Sequence, residues 1–261
     1  MEPRRIVSKD EWLVARKAHL AEEKAFTHAR DALSKKRREL PWVKIERPYI
    51  FDGPHGKETL ADLFDGRSQL IVKHFMFGPD WQEGCVGCSF ECDHVGGTLP
   101  HLEQHDVTYV AVSRAPLPRL EEFKRRMGWR FKWVSSFGND FNYDFHVSFT
   151  PEQAAQGEVY YNYDMRPLQS DEMSGRSVFY RDAAGDVFHT YSSFGRGGEM
   201  HLGTYHYLDI TPKGREETIK GNMTDWVRHH DRYDRGGSVD STGRYVTPAA
   251  TDPCCHAETV R

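Results

Sequence analysis

The stretch SQLIVKHFMFGPDWQEGCVGCSFEC, residues 68–92, joins a near-continuous apolar run to three closely spaced cysteines. An apolar run without polar alternation is typical of a strand that is buried on both faces of a sheet. We predict that the cysteines lie on a helix that follows this strand and continues to Glu103. A second buried strand at 106–113 and a second helix from Leu120 come next. The order strand, helix, strand, helix predicts a right-handed parallel βαβ unit.

Upstream of this unit, the sequence predicts one long helix from about Ser8 to Leu40. Ser8 and Glu11 have the spacing of a capping box, and Pro41 would stop the helix. Apolar side chains recur along it at a spacing of three and four, interrupted by two polar ones. Such a stripe favours docking on the domain or on a second subunit, so a homodimer through this helix is an expected assembly.

Two hairpins and an insertion complete the expected α/β domain. Residues 49–59 and 176–195 each have strand-like runs around turn residues, and the second hairpin would complete the central sheet. The aromatic-rich residues 145–165 predict an insertion. Beyond Gly236 the chain has little apolar material, which predicts a flexible tail. The expected segments are an N-terminal helical extension at 1–41, the domain at 42–235 and the disordered tail at 236–261.

Composition narrows the classes of function. The 261 residues are 38% hydrophobic and 28% charged, with a formal net charge of −4, so neither nucleic acid nor an anionic membrane is an expected partner. No window approaches the roughly 20 apolar residues that span a bilayer, and no secretory signal follows the first residues. We therefore expect a cytoplasmic protein with reduced thiols, which makes structural disulfides a poor explanation for the cysteines.

Cys85 and Cys88 are three residues apart, so both side chains lie on one face if the segment is helical. At a helix N-terminus the backbone amides and the dipole stabilise a thiolate. This predicts Cys85 as the nucleophile of a thiol-disulfide oxidoreductase and Cys88 as the resolving thiol. Its substrate would be a protein or small-molecule disulfide, and no cofactor is required.

The remaining cysteines leave a metal-binding alternative open. Cys92 continues the stripe and is interpreted as a small buried residue. Together with Cys85, Cys88 and His94, however, it supplies ligands that suit zinc or copper. The tail offers a second ligand group, which comprises Cys254, Cys255 and His256. A tethered thiol that returns to Cys85 is another use of that group.

Long motifs between residues 7 and 233 resemble a bacterial family catalogued as domain of unknown function 899, grouped with the thioredoxin-like superfamily. They are EWLVARKAHLAEEKAFTHARDAL, LPWV, FDGPHGKETLADLFDGRSQLIVKHFMFGPDWQEGCVGCSF, VAVSRAPL, FKRRMGWRFKWVSSFGNDFNYDF and VFHTYSSFGRG. The resemblance implies a thioredoxin-like central sheet flanked by helices. The order of elements is also similar to a peroxiredoxin, which implies thiol peroxidase as a further activity. Arg176 falls where that family's site arginine would lie.

Three other residues are candidates for substrate binding. Pro79 and Trp81 belong to a loop that should overhang the cysteine helix and could shape a docking surface, although an aromatic anchor for the loop is the alternative. His189 lies on a late strand and could assist proton transfer; a half-buried, hydrogen-bonded histidine is the alternative.

Overall fold

The computed structural model describes residues 4–215 and 226–248, so the predicted ligands Cys254, Cys255 and His256 lie outside the described residues. An eight-stranded sheet forms the centre of the fold, in the order β1-β10-β9-β4-β5-β6-β2-β3. Its strands are β1 (Val43–Lys44), β2 (Ile50–Gly53), β3 (Gly56–Thr59), β4 (Gln69–His74), β5 (Val107–Ser113), β6 (Lys132–Ser135), β9 (Gly175–Arg181) and β10 (Val187–Phe194). Two small hairpins lie outside it, β7 (Glu158–Tyr161) with β8 (Asp164–Pro167) and β11 (Ser238–Val239) with β12 (Tyr245–Val246).

Helices flank the sheet. They are α1 (Lys9–Arg38), α2 (Val86–Cys92), α3 (Leu99–Gln104), α4 (Leu117–Arg126), α5 (Phe141–Asp144), α6 (Pro151–Ala155) and α7 (Gly203–Asp209), with 3-10 turns at Asp62–Phe64, Gly195–His201 and His230–Arg232. None of the helices in the described ranges is both long and apolar enough to cross a bilayer.

Strand β4 lies inside the sheet, as its apolar sequence predicts. It pairs in parallel with β5 and antiparallel with β9, while β5 pairs in parallel with β6. Leu70 and Val72 are fully buried on one side of β4 and Lys73 on the other. The parallel β4-β5-β6 unit, extended by the antiparallel β9-β10 hairpin, is the thioredoxin-like arrangement, which confirms the predicted fold class.

The cysteine helix is shorter than predicted. It ends at Cys92, and a turn region that includes Gly96 and Gly97 separates it from α3. Glycine disfavours the helix interior, and Pro100 is tolerated because it lies in the first turn of the new helix α3. The prediction of one continuous helix to Glu103 is therefore wrong.

Helix α1 has the predicted capping box, in which the Ser8 side chain accepts a hydrogen bond from the Glu11 amide and the Glu11 side chain accepts one from the Ser8 amide. It buries none of its side chains. A cation–π contact joins it to the sheet, with the Arg37 guanidinium 5.0 Å from the centre of the Tyr191 ring. The apolar stripe thus does not dock on the domain, and docking on a second subunit stays a prediction.

The predicted insertion, residues 145–165, contains α6, β7 and the start of β8, and α5 directly precedes it. Its buried side chains, including Phe149 and Tyr161, pack with Phe194 of β10 in a separate apolar cluster. The insertion thus carries its own aromatic core beside the sheet.

Part of the segment from residue 236, for which the sequence predicts a flexible tail, lies within the described residues. Residues 236–246 form the β11-β12 hairpin, which we call the C-terminal strap. Backbone hydrogen bonds, cationic contacts and the packing of Val239 and Tyr245 against the apolar cluster around Val86 and Phe90 hold it in place.

Candidate functional site

The cysteine pair lies where the chain passes from β4 into α2. Cys85 is the N-cap of α2, and the Cys88 amide donates to its sulfur at 3.5 Å. The Cys85 amide donates to the Met76 carbonyl at 3.0 Å, which fixes the approach of the loop. A Cβ on Gly84 would lie 2.6 Å from the Phe75 ring, so only glycine permits this close approach. Both predicted cysteines are therefore at the helix start, and both are free thiols in the structure.

Three buried charged side chains lie beneath the pair. Lys73 and Arg176 are register partners on β4 and β9, and Glu91 lies one turn beyond Cys88 on α2. The Lys73 ammonium is 2.8 Å from one carboxylate oxygen of Glu91, and the Arg176 Nε donates to the other oxygen at 2.6 Å. A second contact joins the Arg176 Nη2 to Glu91.

This cluster, Lys73–Glu91–Arg176, is almost fully removed from solvent, with exposed fractions of 0%, 5% and 7%. Burial raises the pKa of the Glu91 carboxyl, but the two cations outweigh burial and hold that pKa at about 2. Two cations and one carboxylate leave a net positive charge in a low-dielectric environment. A neighbouring anion is therefore stabilised.

Cys88 is that neighbour. Burial raises the pKa of its thiol, but a hydrogen bond with Cys85, the charge of Lys73 and the Met76 amide together lower it to about 6. The hydrogen bond with Cys88 and burial raise the pKa of the Cys85 thiol. In this geometry the thiol with the lowered pKa is that of Cys88, whereas the sequence predicts that Cys85 ionises first; which cysteine attacks stays a prediction. The hydrogen bond between the two side chains moves their pKa values in opposite directions, and the charge of Lys73 adds to the lowering at Cys88.

Both sulfurs line a cavity of about 820 Å³. Glu91, Arg176 and Tyr161 also line this cavity. The roof is formed by residues 240–243 of the C-terminal strap. The arrangement places two thiols and an arginine at one cavity.

The other candidate binding residues have different surroundings. Trp81 is 2% exposed, and the Arg244 guanidinium covers its ring at 4.1 Å, so the indole is a core residue under the strap and not an open docking surface. The Pro79 carbonyl accepts a hydrogen bond from Arg119 at 3.0 Å, which anchors the loop. Arg176 lines the same cavity as the two cysteines, and its role there stays a prediction.

His189 does not belong to the cysteine site. Its Nε2 bonds to the Ser192 hydroxyl at 2.7 Å and to the Tyr191 carbonyl, and the ring lines a separate cavity beside Phe145. Strand β10 is two strands from β4, which places His189 too far along the sheet for the expected proton transfer.

The two further predicted metal ligands that lie within the described residues, Cys92 and His94, both have other partners. Cys92 is fully buried with its sulfur 3.9 Å from the Tyr109 hydroxyl, and burial raises the pKa of its thiol. Both ring nitrogens of His94 are engaged, one by the Phe90 carbonyl and the other by Thr204. Within residues 4–215 and 226–248, no group of three or more histidine, cysteine or acidic side chains is arranged to hold a metal ion.

Sequence reasoning missed Lys73 and Glu91. A lysine in the middle of an apolar strand was the available signal, because a buried charge requires a partner. Glu91 follows Cys88 by three residues and so shares its helix face.

Comparison with known proteins places the chain among bacterial proteins. The model of a family described as "Bacterial protein of unknown function (DUF899)" matches residues 1–233. No curated protein matches the chain.

Several solved structures are similar in part. Peroxiredoxin Q from Xanthomonas campestris is 14% identical, with 61% of this chain and 89% of that chain covered and a TM-score of 0.38. Peroxidoxin BcpB from Mycobacterium tuberculosis is 14% identical, with coverages of 65% and 97% and a TM-score of 0.35. A putative protein disulfide isomerase from Bacteroides thetaiotaomicron is 14% identical, with coverages of 66% and 92% and a TM-score of 0.38. These identities and scores are too low to transfer an activity or a residue's role.

Proposed function

We propose that this chain, which belongs to the DUF899 family of bacterial proteins, is a thiol-disulfide oxidoreductase in which Cys88 attacks and Cys85 resolves. The observation that carries the proposal is the position of Cys88 above the buried Lys73–Glu91–Arg176 cluster, whose net positive charge favours a thiolate near neutral pH. The proposal exchanges the roles that the sequence predicts for the two cysteines and keeps the chemistry.

The reaction begins with the Cys88 thiolate attacking one sulfur of a substrate disulfide. A bond forms between Cys88 and that sulfur, the substrate's S–S bond breaks, and one substrate thiolate leaves. Cys85 then gives its proton to the departing thiolate and attacks the Cys88 sulfur. The second substrate thiolate leaves, so the substrate is reduced to two thiols and the cysteine pair is oxidised to a disulfide. An external dithiol reduces the pair for the next cycle.

Reduction of a hydroperoxide is a second candidate, favoured by Arg176. Its Nη1 is buried and has no hydrogen-bond partner among the described residues, so it has donor capacity left for an oxygen atom. The Cys88 thiolate would attack the peroxide, the O–O bond would break to give an alcohol, and Cys88 would become a sulfenic acid. The Cys85 thiol would then form the disulfide with release of water.

The proposed reaction needs no bound cofactor. It does need a compartment that keeps thiols reduced, so we propose that the protein is cytoplasmic. Zinc or copper binding through Cys254, Cys255 and His256 stays a prediction. Metal content of the purified full chain, compared with a C254S/C255S variant, tests it.

Trapping experiments test the proposed roles. Cys85→Ser should accumulate a mixed disulfide at Cys88 when a small disulfide is added, because the resolving thiol is missing. Cys88→Ser should neither turn over nor form the adduct. Cys92→Ala is the matched control and should keep most of the turnover, since its sulfur only fills space. Intact-protein and peptide mass spectrometry identify the adduct.

The opposite result would be a mixed disulfide at Cys85 in the Cys88→Ser variant and no mixed disulfide at Cys88 in the Cys85→Ser variant. It would show that Cys85 attacks and Cys88 resolves. Equal loss of turnover in all three variants would contradict the proposed site. Adding a hydroperoxide instead of the disulfide separates the two candidate activities, since only the peroxidase produces a sulfenic acid on Cys88 of the Cys85→Ser variant.

A further inference from the structure

The C-terminal strap is held over the cysteine helix by several independent contacts. The Gly243 carbonyl accepts a hydrogen bond from the Val86 amide at 2.9 Å, in the first turn of α2. The Arg244 guanidinium stacks on Trp81 and pairs with Asp171 at 3.2 Å. The ring of Tyr245 lies 4.4 Å from the Arg232 guanidinium. The strap is thus anchored to α2, to the loop before it, and to residues on the far side of the cavity.

The strap covers the first cysteine at van der Waals distance. A Cβ at Gly243 would lie 2.9 Å from the Cys85 sulfur, closer than real Cβ atoms approach. Gly243 also has a φ of +87°, a conformation that other residues rarely adopt. Cys85 and Cys88 are consequently 5% and 2% exposed.

A folded protein that presents a disulfide must bring its own backbone to the reacting sulfur. The strap backbone already occupies the space beside Cys85 at the start of the helix, where the Gly243 carbonyl accepts a hydrogen bond from the Val86 amide. Beneath the strap, space remains for a small molecule. The cavity of about 820 Å³ is within the range of about 300–1,000 Å³ that is typical of small-molecule sites.

The walls of the cavity suit a compact, partly polar molecule. Met76, Leu168 and Met173 supply apolar surface, whereas Ser170 and Thr242 supply hydroxyl groups. Asp240 receives hydrogen bonds from Thr242 and from the Arg244 amide, so the roof keeps its shape through its own turn.

We infer that the C-terminal strap restricts the cysteine pair to low-molecular-mass disulfides or hydroperoxides and excludes the disulfides of folded proteins. The inference rests on the proposed function for its chemistry. The size selection itself depends only on access to the two sulfurs.

Size-graded alkylation of the full chain tests access without any turnover. Iodoacetamide is the small probe, a maleimide on a polyethylene glycol chain of roughly 5 kDa is the large one, and peptide mass mapping follows Cys85 and Cys88. In the wild type, each reagent's rate is divided by its rate with the urea-unfolded chain. The large probe should then be slower than the small one by about tenfold or more, since access requires the strap to open.

Arg244→Ala should raise labelling by the large probe by about tenfold, because it removes the contacts to Trp81 and Asp171. Gly243→Ala should also raise labelling by the large probe, because the added methyl group would clash with Cys85. This variant replaces Arg244→Ala in the test if Arg244→Ala is poorly folded. Ser238→Ala, on the exposed start of the strap, is the matched control and should change nothing. Equal normalised rates of the two probes in the wild type would overturn the inference, as would large-probe labelling that Arg244→Ala and Gly243→Ala leave unchanged.

Turnover supplies the second comparison, with 2-hydroxyethyl disulfide as the small substrate and insulin as the protein disulfide. The wild type should reduce the former, and Arg244→Ala should gain activity on insulin. Efficient reduction of insulin by the wild type would overturn the inference. No turnover of either substrate, with size-selective alkylation intact, would reject the proposed function and leave the access control of the strap supported.

Discussion

The Lys73 ammonium and the Glu91 carboxylate form an ion pair of 2.8 Å in which the lysine side chain is 0% exposed and the glutamate side chain 7%. Removing both charges from water costs several kcal/mol each unless partners compensate. Arg176 gives Glu91 a second cation, so one positive charge is left over. The adjacent Cys88 sulfur can balance it only as a thiolate, which couples the stability of the core to the reactivity of the site.

Lys73→Met should raise the pKa of Cys88 from about 6 towards the ordinary range of a thiol, because Glu91 and Arg176 then neutralise each other. At pH 7 the thiolate fraction, and with it the rate of iodoacetamide alkylation, should fall by about tenfold or more. The pH profile of alkylation, read by peptide mapping, measures the shift. Lys44→Met is the control, since Lys44 pairs with Asp186 on an exposed edge of the sheet. An unchanged midpoint in Lys73→Met would contradict the proposed electrostatic origin of the thiolate.

Glu172→Gln should remove a pH dependence of stability. Burial raises the pKa of the Glu172 carboxyl from 4.5 to about 7, despite Arg114 at 3.1 Å and a hydrogen bond from Ser148. A carboxyl with a raised pKa binds its proton more tightly in the folded state. The wild type therefore loses stability as the pH rises from about 4.5 to 7, by up to roughly 3 kcal/mol.

The measurement for Glu172 is the urea midpoint at pH 5 and at pH 8. The difference in stability between Glu172→Gln and the wild type should move in favour of the glutamine variant at the higher pH. Glu158→Gln, at an exposed position on β7, should show the same change in stability between the two pH values as the wild type. If Glu172→Gln also shows the same change as the wild type, the buried carboxyl does not titrate in this range.

Helix α1 should mediate self-association. Trp12 and Phe26 are 56% and 70% exposed although they lie on the same apolar stripe, and such a stripe favours a partner helix. We expect a dimer by light scattering coupled to size exclusion, and a monomer for Phe26→Glu. Lys24→Glu, on the opposite face of the helix, should stay dimeric. A monomeric wild type at micromolar concentration would reject the predicted dimer.

The parts of the fold that depend on local patterns could be predicted from the sequence. Ser8 and Glu11 begin α1 as their spacing indicates, and the apolar run of β4 is inside the sheet because such a run cannot face water on either side. Cys85 lies at the start of helix α2, directly after the strand and loop from which the sequence predicts this position. These features need only the neighbours along the chain.

The features that escaped prediction depend on contacts between distant residues. The hydrogen bond with Cys85 and the charge of Lys73 lower the pKa of Cys88, and Arg176 is brought to this site by the pairing of β9 with β4. The strap is anchored by Arg244 on Trp81, more than 160 residues away in sequence, with no apolar periodicity to reveal it. The sequence leaves open whether Trp81 and His189 belong to the site, because their neighbours along the chain do not show which residues surround them in three dimensions.

The position of the strap in the chain has a consequence for biosynthesis. Residues 240–246 leave the ribosome after every strand of the central sheet, so the sheet and the cysteine helix can fold while Cys85 is still uncovered. A nascent chain at that stage leaves the cysteine pair open to oxidants and to other unfinished polypeptides. The arrival of Gly243 covers Cys85, so the site is completed only after the last strand of the central sheet has been synthesised.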